Sequence, residues 1–540
     1  MWLALTAAHA GLGPAGVVVL YNAEVPEAVD VARAYADARA VPEGQLCGLS
    51  GIDPSVTVQP FAEFDALVRA PLDTCLAALP QPDAIDAIVT VRGLPYVVSL
   101  PDYVVGFEAA LQVGHALGFD GEPILGSGQP FANGLFSASV KNPVFAGIDG
   151  SCAPSDLVVT NPYAAWYDAT CALQHAPKLP GSFRRSARND ALGLEFRGEL
   201  AVVTRLDGFD YADAEALIDR GVAADGTFPT APVTCMRGGD EARAARDPEC
   251  ELTVRLLADA GVSAEWIDGF DPALSGREVA AYFTGTADLT AGIAGQTYVP
   301  GAIADNLTST GAVPQNFFCD PTGAVCPEAE SQTSIARYVR AGATGVHGAV
   351  AEPLNNVFPN AGALVLYTSG YSLGESFLFA QQFLYWQNLV LGDPLTTPFA
   401  ERPVVDLPSA WAAGESVQIT ASHPDGVVEL RLYLDGVEVA AAEGDTLAYT
   451  PDGSAGDTAS VLAVAVAGDH QLQRGLAWPV AEQTARADTQ GWASAVVTLG
   501  APAAPDSPEA STGGCGCGAG PWQVGWAWVG GALFLGRRRG

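Results

Sequence analysis

Gly16-Val-Val-Val-Leu-Tyr21, then Pro26 and an alanine-rich run to Ala40, is the stretch on which the fold turns. Six apolar residues without alternation suit a strand covered on both faces, as in a parallel sheet between helices. Pro26 suits the first turn of a helix, where its missing N–H costs nothing. The same alternation continues outward. Ala87–Val91 and Leu200–Thr204 read as strands, Ala212–Gly221 as a helix, Val279–Phe283 and Ala302–Ala304 as short strands. Ile335–Arg340 reads as a helix and Thr344–Val350 as a glycine-rich strand. Ser372 with Glu375 three residues on is a capping box, expected to open a long helix. Residues 13–400 are therefore expected to be an α/β domain, doubly wound around a mostly parallel sheet.

Residues 403–499 change character. Ser416–Ala421, Val428–Leu434 and Ser460–Ala467 alternate apolar and polar side chains, the mark of half-buried strands. Asp435-Gly436 between Leu434 and Val437 is a type I′ hairpin signal. These features predict an Ig-like β-sandwich without an inter-sheet disulfide. No internal repeat is present.

The 540 residues carry 61 acidic and 26 basic side chains, a formal net charge of −35. Such a surface repels phosphate backbones, so nucleic acid is excluded as a partner. Hydrophobic residues make up 49% of the chain, enough for large cores. Six histidines are scattered, none at metal-ligand spacing, and no Gly-x-Ser-x-Gly elbow, Walker loop or dinucleotide fingerprint follows a predicted strand. No cofactor or metal is expected. His347, inside a glycine-rich strand, reads as a core residue rather than a base.

Ten cysteines are present. Eight in the body, Cys47, Cys75, Cys152, Cys171, Cys235, Cys250, Cys319 and Cys326, form no close cluster and suit disulfides made in an oxidising compartment. Pairing of sequence neighbours (47–75, 152–171, 235–250, 319–326) is the expectation, although spacing alone does not fix connectivity.

In a parallel sheet, ligands bind beyond the carboxyl ends of the strands. Polar residues at those ends are Asn22, Arg92, Arg205, Asp207, Thr284–Thr286, Ser309 and Glu352. Right-handed crossovers return the chain to one starting edge, so Arg92, Arg205, Asp207, Ser309 and Glu352 are expected together at the opposite one. Arg92, Arg205 and Asn22 would bind a ligand such as a peptide or glycan. Ser309 with Asp207 or Glu352 would be the catalytic candidates. The competing reading makes Arg205–Asp207 and Arg92–Glu352 structural ion pairs.

The two ends suggest export. Residues 2–8 are apolar and lead into Ala8-His9-Ala10, so 1–12 resemble a shortened signal peptide with an A-x-A cleavage site. Residues 501–514 form a Pro/Ala/Ser linker. Then follow Cys515-Gly-Cys517, a short apolar span from Pro521 to Gly536, and Arg537-Arg-Arg539. This tail, residues 515–540, resembles the Myxo-CTERM sorting signals. The resemblance implies a membrane anchor before processing at Cys515 or Cys517, sorting machinery of the envelope as a partner, and a final place at the cell surface.

Tyr21-Asn22, Arg33-Ala-Tyr-Ala-Asp-Ala-Arg39, Arg92-Gly-Leu-Pro95, Asn161-Pro-Tyr163 and Arg205-Leu-Asp-Gly208 occur in this order. Pro300-Gly-Ala-Ile303, Ala341-Gly-Ala-Thr-Gly345, Glu352-Pro353 and Gly392-Asp-Pro-Leu395 follow. Together they resemble an uncharacterised family of secreted bacterial proteins with no assigned activity. The closing part is also distantly similar to the gingipain-type, caspase-like cysteine peptidases. That likeness implies a histidine after one strand and a cysteine after the next; here those places read Thr284-Gly-Thr286 and Leu307-Thr-Ser309. Without a thiolate–imidazole pair the peptidase chemistry is absent or replaced. The expected function is a non-catalytic, surface-displayed, ligand-binding protein. The alternatives are a hydrolase using Ser309 and a structural envelope or adhesion component.

Overall fold

The computed structural model describes residues 11–100, 104–113, 200–318, 332–352, 355–467 and 489–500, with short pieces at 140–142, 145, 147, 158–160 and 172–174. Ten strands build the main sheet. They are β1 (Val17–Asn22), β2 (Leu46–Leu49), β3 (Ala87–Val91), β4 (Val202–Leu206), β5 (Val233–Met236), β6 (Ala264–Ile267), β7 (Glu278–Thr284), β8 (Thr297–Asn306), β9 (Gly345–Ala349) and β10 (Asn388–Gly392). Across the sheet the order is β6-β5-β7-β8-β9-β10-β4-β3-β1-β2. Val17–Leu20 of β1 and all of β3 and β4 are buried, which is why these strands carry apolar side chains on both faces.

The helices bearing on the site are α1 (Pro26–Arg39), α2 (Phe107–Val113), α3 (Tyr211–Ala224), α4 (Asp247–Asp259), α5 (Ala336–Ala341), α6 (Gly362–Thr368) and α7 (Leu373–Ala380). Pro26 opens α1, and Ala40, at φ 57°, closes it. The Ser372–Glu375 capping box forms with both of its hydrogen bonds. The helix it opens is not long: α7 has eight residues and stops before Gln381.

Strand direction corrects a second expectation. Every pair in the sheet is parallel except β9–β10, which is antiparallel. Two five-stranded parallel halves therefore run in opposite directions and meet at that pair. Strands β1, β3 and β4 finish at one edge, whereas β7, β8 and β9 finish at the other. The connection from β9 to β10 contains α6 and α7, and it returns the chain to the edge it left rather than to its starting edge.

A second pair of sheets follows. Strands β11 (Val404–Asp406), β13 (Val417–Ser422) and β16 (Thr446–Tyr449) form one. Strands β12 (Trp411–Ala412), β18 (Gln490–Gly500), β17 (Thr458–Ala467), β14 (Val427–Leu434) and β15 (Val437–Glu443) form the other, in that spatial order. Ile419, Leu430, Leu432, Leu447 and Ala463 pack between them, making a β-sandwich. Asp435 and Gly436 both have positive φ, as the hairpin between β14 and β15 requires.

The sandwich is fastened to the α/β body. Arg402 donates to Asp225 at the end of α3, to the Leu395 carbonyl and to the Gln490 carbonyl of β18, and its guanidinium lies 4.4 Å from the Trp492 ring centroid. Asp225 also accepts from Arg39 of α1 at 2.5 Å. Arg39 and Tyr35 in turn both reach Asp393, at 2.6 and 2.9 Å. The Arg33–Arg39 and Gly392–Leu395 motifs thus meet at one fully buried carboxylate.

Candidate functional site

At the edge where β1, β3 and β4 end, the charges satisfy one another. Arg205 leaves β4 with its side chain fully buried. It donates to Asp207 (2.7 Å), to Glu108 of α2 (2.9 Å), and to the carbonyls of Leu94 (2.6 Å) and Pro95 (2.8 Å). Its guanidinium lies 4.0 Å from the Tyr96 ring centroid. Asp207 accepts also from Tyr96 (2.8 Å) and from Arg92 (2.6 Å). Burial alone would raise the Asp207 pKa, but the Arg92 and Arg205 guanidiniums outweigh it and hold the carboxyl below its ordinary value. Arg92 turns to Asp207 and the Gly208 carbonyl, not to Glu352. Asn22, fully buried, ties the neighbouring turns by donating to the carbonyls of Ile52 and Gly93. Each of these side chains is spent on the protein itself.

Ser309 and Glu352 stand at the other edge, beyond β8 and β9. Ser309 Oγ donates to the exposed Glu352 carboxylate at 2.8 Å. The five residues expected at one edge therefore divide into two groups, Arg92–Arg205–Asp207 and Ser309–Glu352, because the two halves of the sheet are opposed. Of the two acidic partners considered for Ser309, Asp207 is enclosed by arginines and Glu352 is in contact. The turns after β7 and β8 are stitched by Asn306, which accepts from the Thr286 N–H (2.8 Å) and donates to the Thr286 carbonyl (3.0 Å).

Beneath this edge lies a second buried charge group. Asp305 of β8 faces Arg246, which precedes α4, at 3.1 Å, and His347 of β9 at 3.1 Å; Asp305 and His347 are fully buried. The His347–Asp305 approach is a close contact rather than an aligned hydrogen bond. His347 Nε2 pairs with Asn388 at 2.9 Å, and its ring packs between Phe358 and Phe377. Burial would raise the Asp305 pKa, but Arg246 and His347 lower it. Arg246, Asp305, Glu108 and Tyr96 were not singled out in the sequence. The available signal was a charge inside an apolar strand or helix, as in Ala302-Ile-Ala-Asp305 and Phe107-Glu-Ala-Ala110.

The chain matches no family model and no curated protein. Solved structures of Clostridium thermocellum CbhA fibronectin(III)-like modules are similar to part of it. Their identity is 14%, with 18% of this chain and 97% of theirs covered, at a TM-score of 0.12. The activity must therefore be read from the side chains.

Cys47 of β2 and Cys75 are joined by a disulfide. Cys235 of β5 and Cys250 of α4 are buried thiols whose sulfurs stand 2.7 Å apart. Burial pushes the Cys235 thiol pKa up. Cys152, Cys171, Cys319, Cys326, Cys515 and Cys517, like residues 1–10 and 501–540, lie outside the described residues. The expected 235–250 bridge is corrected to a pair of adjacent buried thiols. Non-reducing peptide mapping of the mature protein is expected to recover the 47–75 cross-link, and alkylation of Cys47 or Cys75 without reductant would contradict it. Among the described residues no helix is long and apolar enough to cross a membrane, and no group of three His, Cys, Asp or Glu side chains is placed to hold a metal ion.

Proposed function

We propose that this chain is an exported, surface-held protein whose α/β body binds a peptide or glycan-like ligand beyond the ends of β8 and β9, without transforming it. The Ser309–Glu352 pair carries this reading. A hydroxyl and an exposed carboxylate 2.8 Å apart at a strand end offer donor and acceptor to amide N–H groups or sugar hydroxyls. His347, the histidine of the neighbouring strand, is fully buried, with Nε2 paired to Asn388 and the ring against Phe358 and Phe377, so it is not available to take the serine proton. The scaffold is that of a caspase-like peptidase relative, a likeness the mostly parallel sheet supports, while Thr284-Gly-Thr286 and Leu307-Thr-Ser309 depart from the peptidase pattern by lacking its histidine and cysteine. The Cys47–Cys75 disulfide supports export, since such bonds persist in oxidising compartments. Anchoring through Cys515, Cys517 and the apolar tail is part of the same proposal.

The same distance favours a second reading, in which Glu352 is the general base for a Ser309 nucleophile. A fluorophosphonate probe separates the two. We expect no labelling of Ser309. On peptide and glycan arrays, the double variant Ser309→Ala, Glu352→Gln should lose about tenfold or more in binding, the order for hydrogen bonds to a charged group. Labelling of Ser309 that Glu352→Gln abolishes would establish the hydrolase. Array binding unchanged in the double variant would remove the site.

A further inference from the structure

A cleft of about 380 Å³ lies between the α/β body and the sandwich. The hairpin tip Asp435-Gly436 overhangs one side, and the segment after α1 together with Leu79–Gln81 forms the other. Its size falls in the range of small-ligand sites, about 300–1,000 Å³, which gather where two parts of a fold meet. Beside it, Tyr433, Leu462, Val464 and Trp492 of the sandwich pack with Ala15 and Ala40 of the α/β body, so the walls are held by a shared apolar seam.

The lining has a definite chemistry. Pro42, Leu79, Pro80, Ile85 and Tyr433 supply apolar surface. The polar groups do not all remain free: Gln45 donates to the carbonyls of Pro14, Ala15 and Val17. Glu43 and Asp435 bring carboxylates to the rim, and no lysine, arginine or histidine is among the described lining residues. Asp435 Oδ1 accepts from the Ser460 N–H at 2.8 Å, which fixes where its carboxylate points. An anion would meet two uncompensated negative charges here, within a chain of formal charge −35. A ligand with an aliphatic stem and a positive head meets complementary surface at both ends.

We propose that this cleft binds the basic side chain of a peptide, a lysine or an arginine, with its stem over Tyr433, Pro42 and Leu79 and its charge toward Glu43 and Asp435. The sandwich then supplies half of a binding site. This site is separate from the Ser309–Glu352 edge and does not depend on it.

Titration calorimetry of the full-length protein tests it with four probes, N-acetyl-Ala-X-Ala-amide where X is lysine, arginine, norleucine or glutamate. Saturable binding is expected for lysine and arginine, weakened by salt because the carboxylates are at the rim. Glu43→Gln and Asp435→Asn should each weaken it about fivefold, the upper order for an exposed ion pair. Asparagine tolerates the positive φ of position 435, so the hairpin is retained. The control Glu241→Gln, on an exposed residue outside the cleft, should leave binding unchanged. The proposal is overturned if norleucine binds as well as lysine, or if the Glu43→Gln, Asp435→Asn double variant binds like the parent. Absence of saturation up to about 10 mM would overturn it equally. If Ser309→Ala, Glu352→Gln abolishes lysine-probe binding, the probe is read at the sheet edge and the cleft assignment fails.

Discussion

Replacing Asp207 by alanine should destabilise the protein by about 3–5 kcal/mol, the range for removing one partner of a buried pair. Arg205 is fully buried, and Asp207 is one of two carboxylates that compensate it. The same substitution strips Arg92 of its ion-pair partner and Tyr96 of its acceptor. The measurement is the urea midpoint. A shift worth less than about 1 kcal/mol, the scale of a surface pair, would mean that these charges are solvated and available to a ligand after all. The pH dependence carries the same information. A carboxyl whose folded pKa is depressed contributes stability that is complete above its unfolded pKa, about 3.9, and lost as pH falls through the folded value. Asp207 is such a group, as are Asp225 and Asp305. The gap between the parent and Asp207→Ala should therefore be constant above about pH 4 and close below it.

Asp225→Ala should cost a similar amount, about 3–5 kcal/mol, with a different signature. Asp225 is shared by Arg39, which is 2% exposed, and Arg402, which is 15% exposed. Arg39 keeps Asp393, but Arg402 is left with carbonyl acceptors and no carboxylate. Burial already pulls the Arg402 pKa down, with Asp225 the largest opposing influence. Since Arg402 joins α3, the Leu395 turn and β18, the variant should melt in two calorimetric steps, the sandwich separating from the α/β body. A single transition at the parent temperature would show that the apolar seam alone holds the two together.

Much of this fold is legible in the sequence where burial is complete. Val17–Leu20 needs apolar side chains on both faces and reads as an uninterrupted run, and Ala87–Val91 and Val202–Leu206 are apolar except at Thr90, Thr204 and Arg205. The sandwich is legible for the opposite reason: β13 buries every second residue. Strands β5 and β6 have four residues each, too few for periodicity to speak, and β6 is only half buried. Strand direction leaves no mark at all, because a buried strand has the same composition either way. It is decided by the edge at which each connection delivers the chain: both the single-helix connection from β4 to β5 and the two-helix connection from β9 to β10 bring it back to the edge it left, and α6, of seven residues, gave no signal. The candidate site inherited that error. Asn22 and Arg205 are the last and next-to-last residues of their strands, and Arg92, Asp207, Ser309 and Glu352 follow strands, but the two groups stand at opposed edges. Whether a charge faces a ligand or another charge depends on partners far away in sequence, such as Glu108 and Tyr96.

The seam of the main sheet also sets an order of events during synthesis. Strand β4 is complete at Leu206, but its second neighbour, β10, begins only at Asn388. Until then Val202-Val-Thr-Arg-Leu206 is a strand with one unpaired side, the kind of edge on which nascent chains stick to one another. The first half of the protein therefore cannot finish ahead of the second. Whatever escorts the emerging chain must shield that open side until the last strand of the sheet arrives and closes both halves at once.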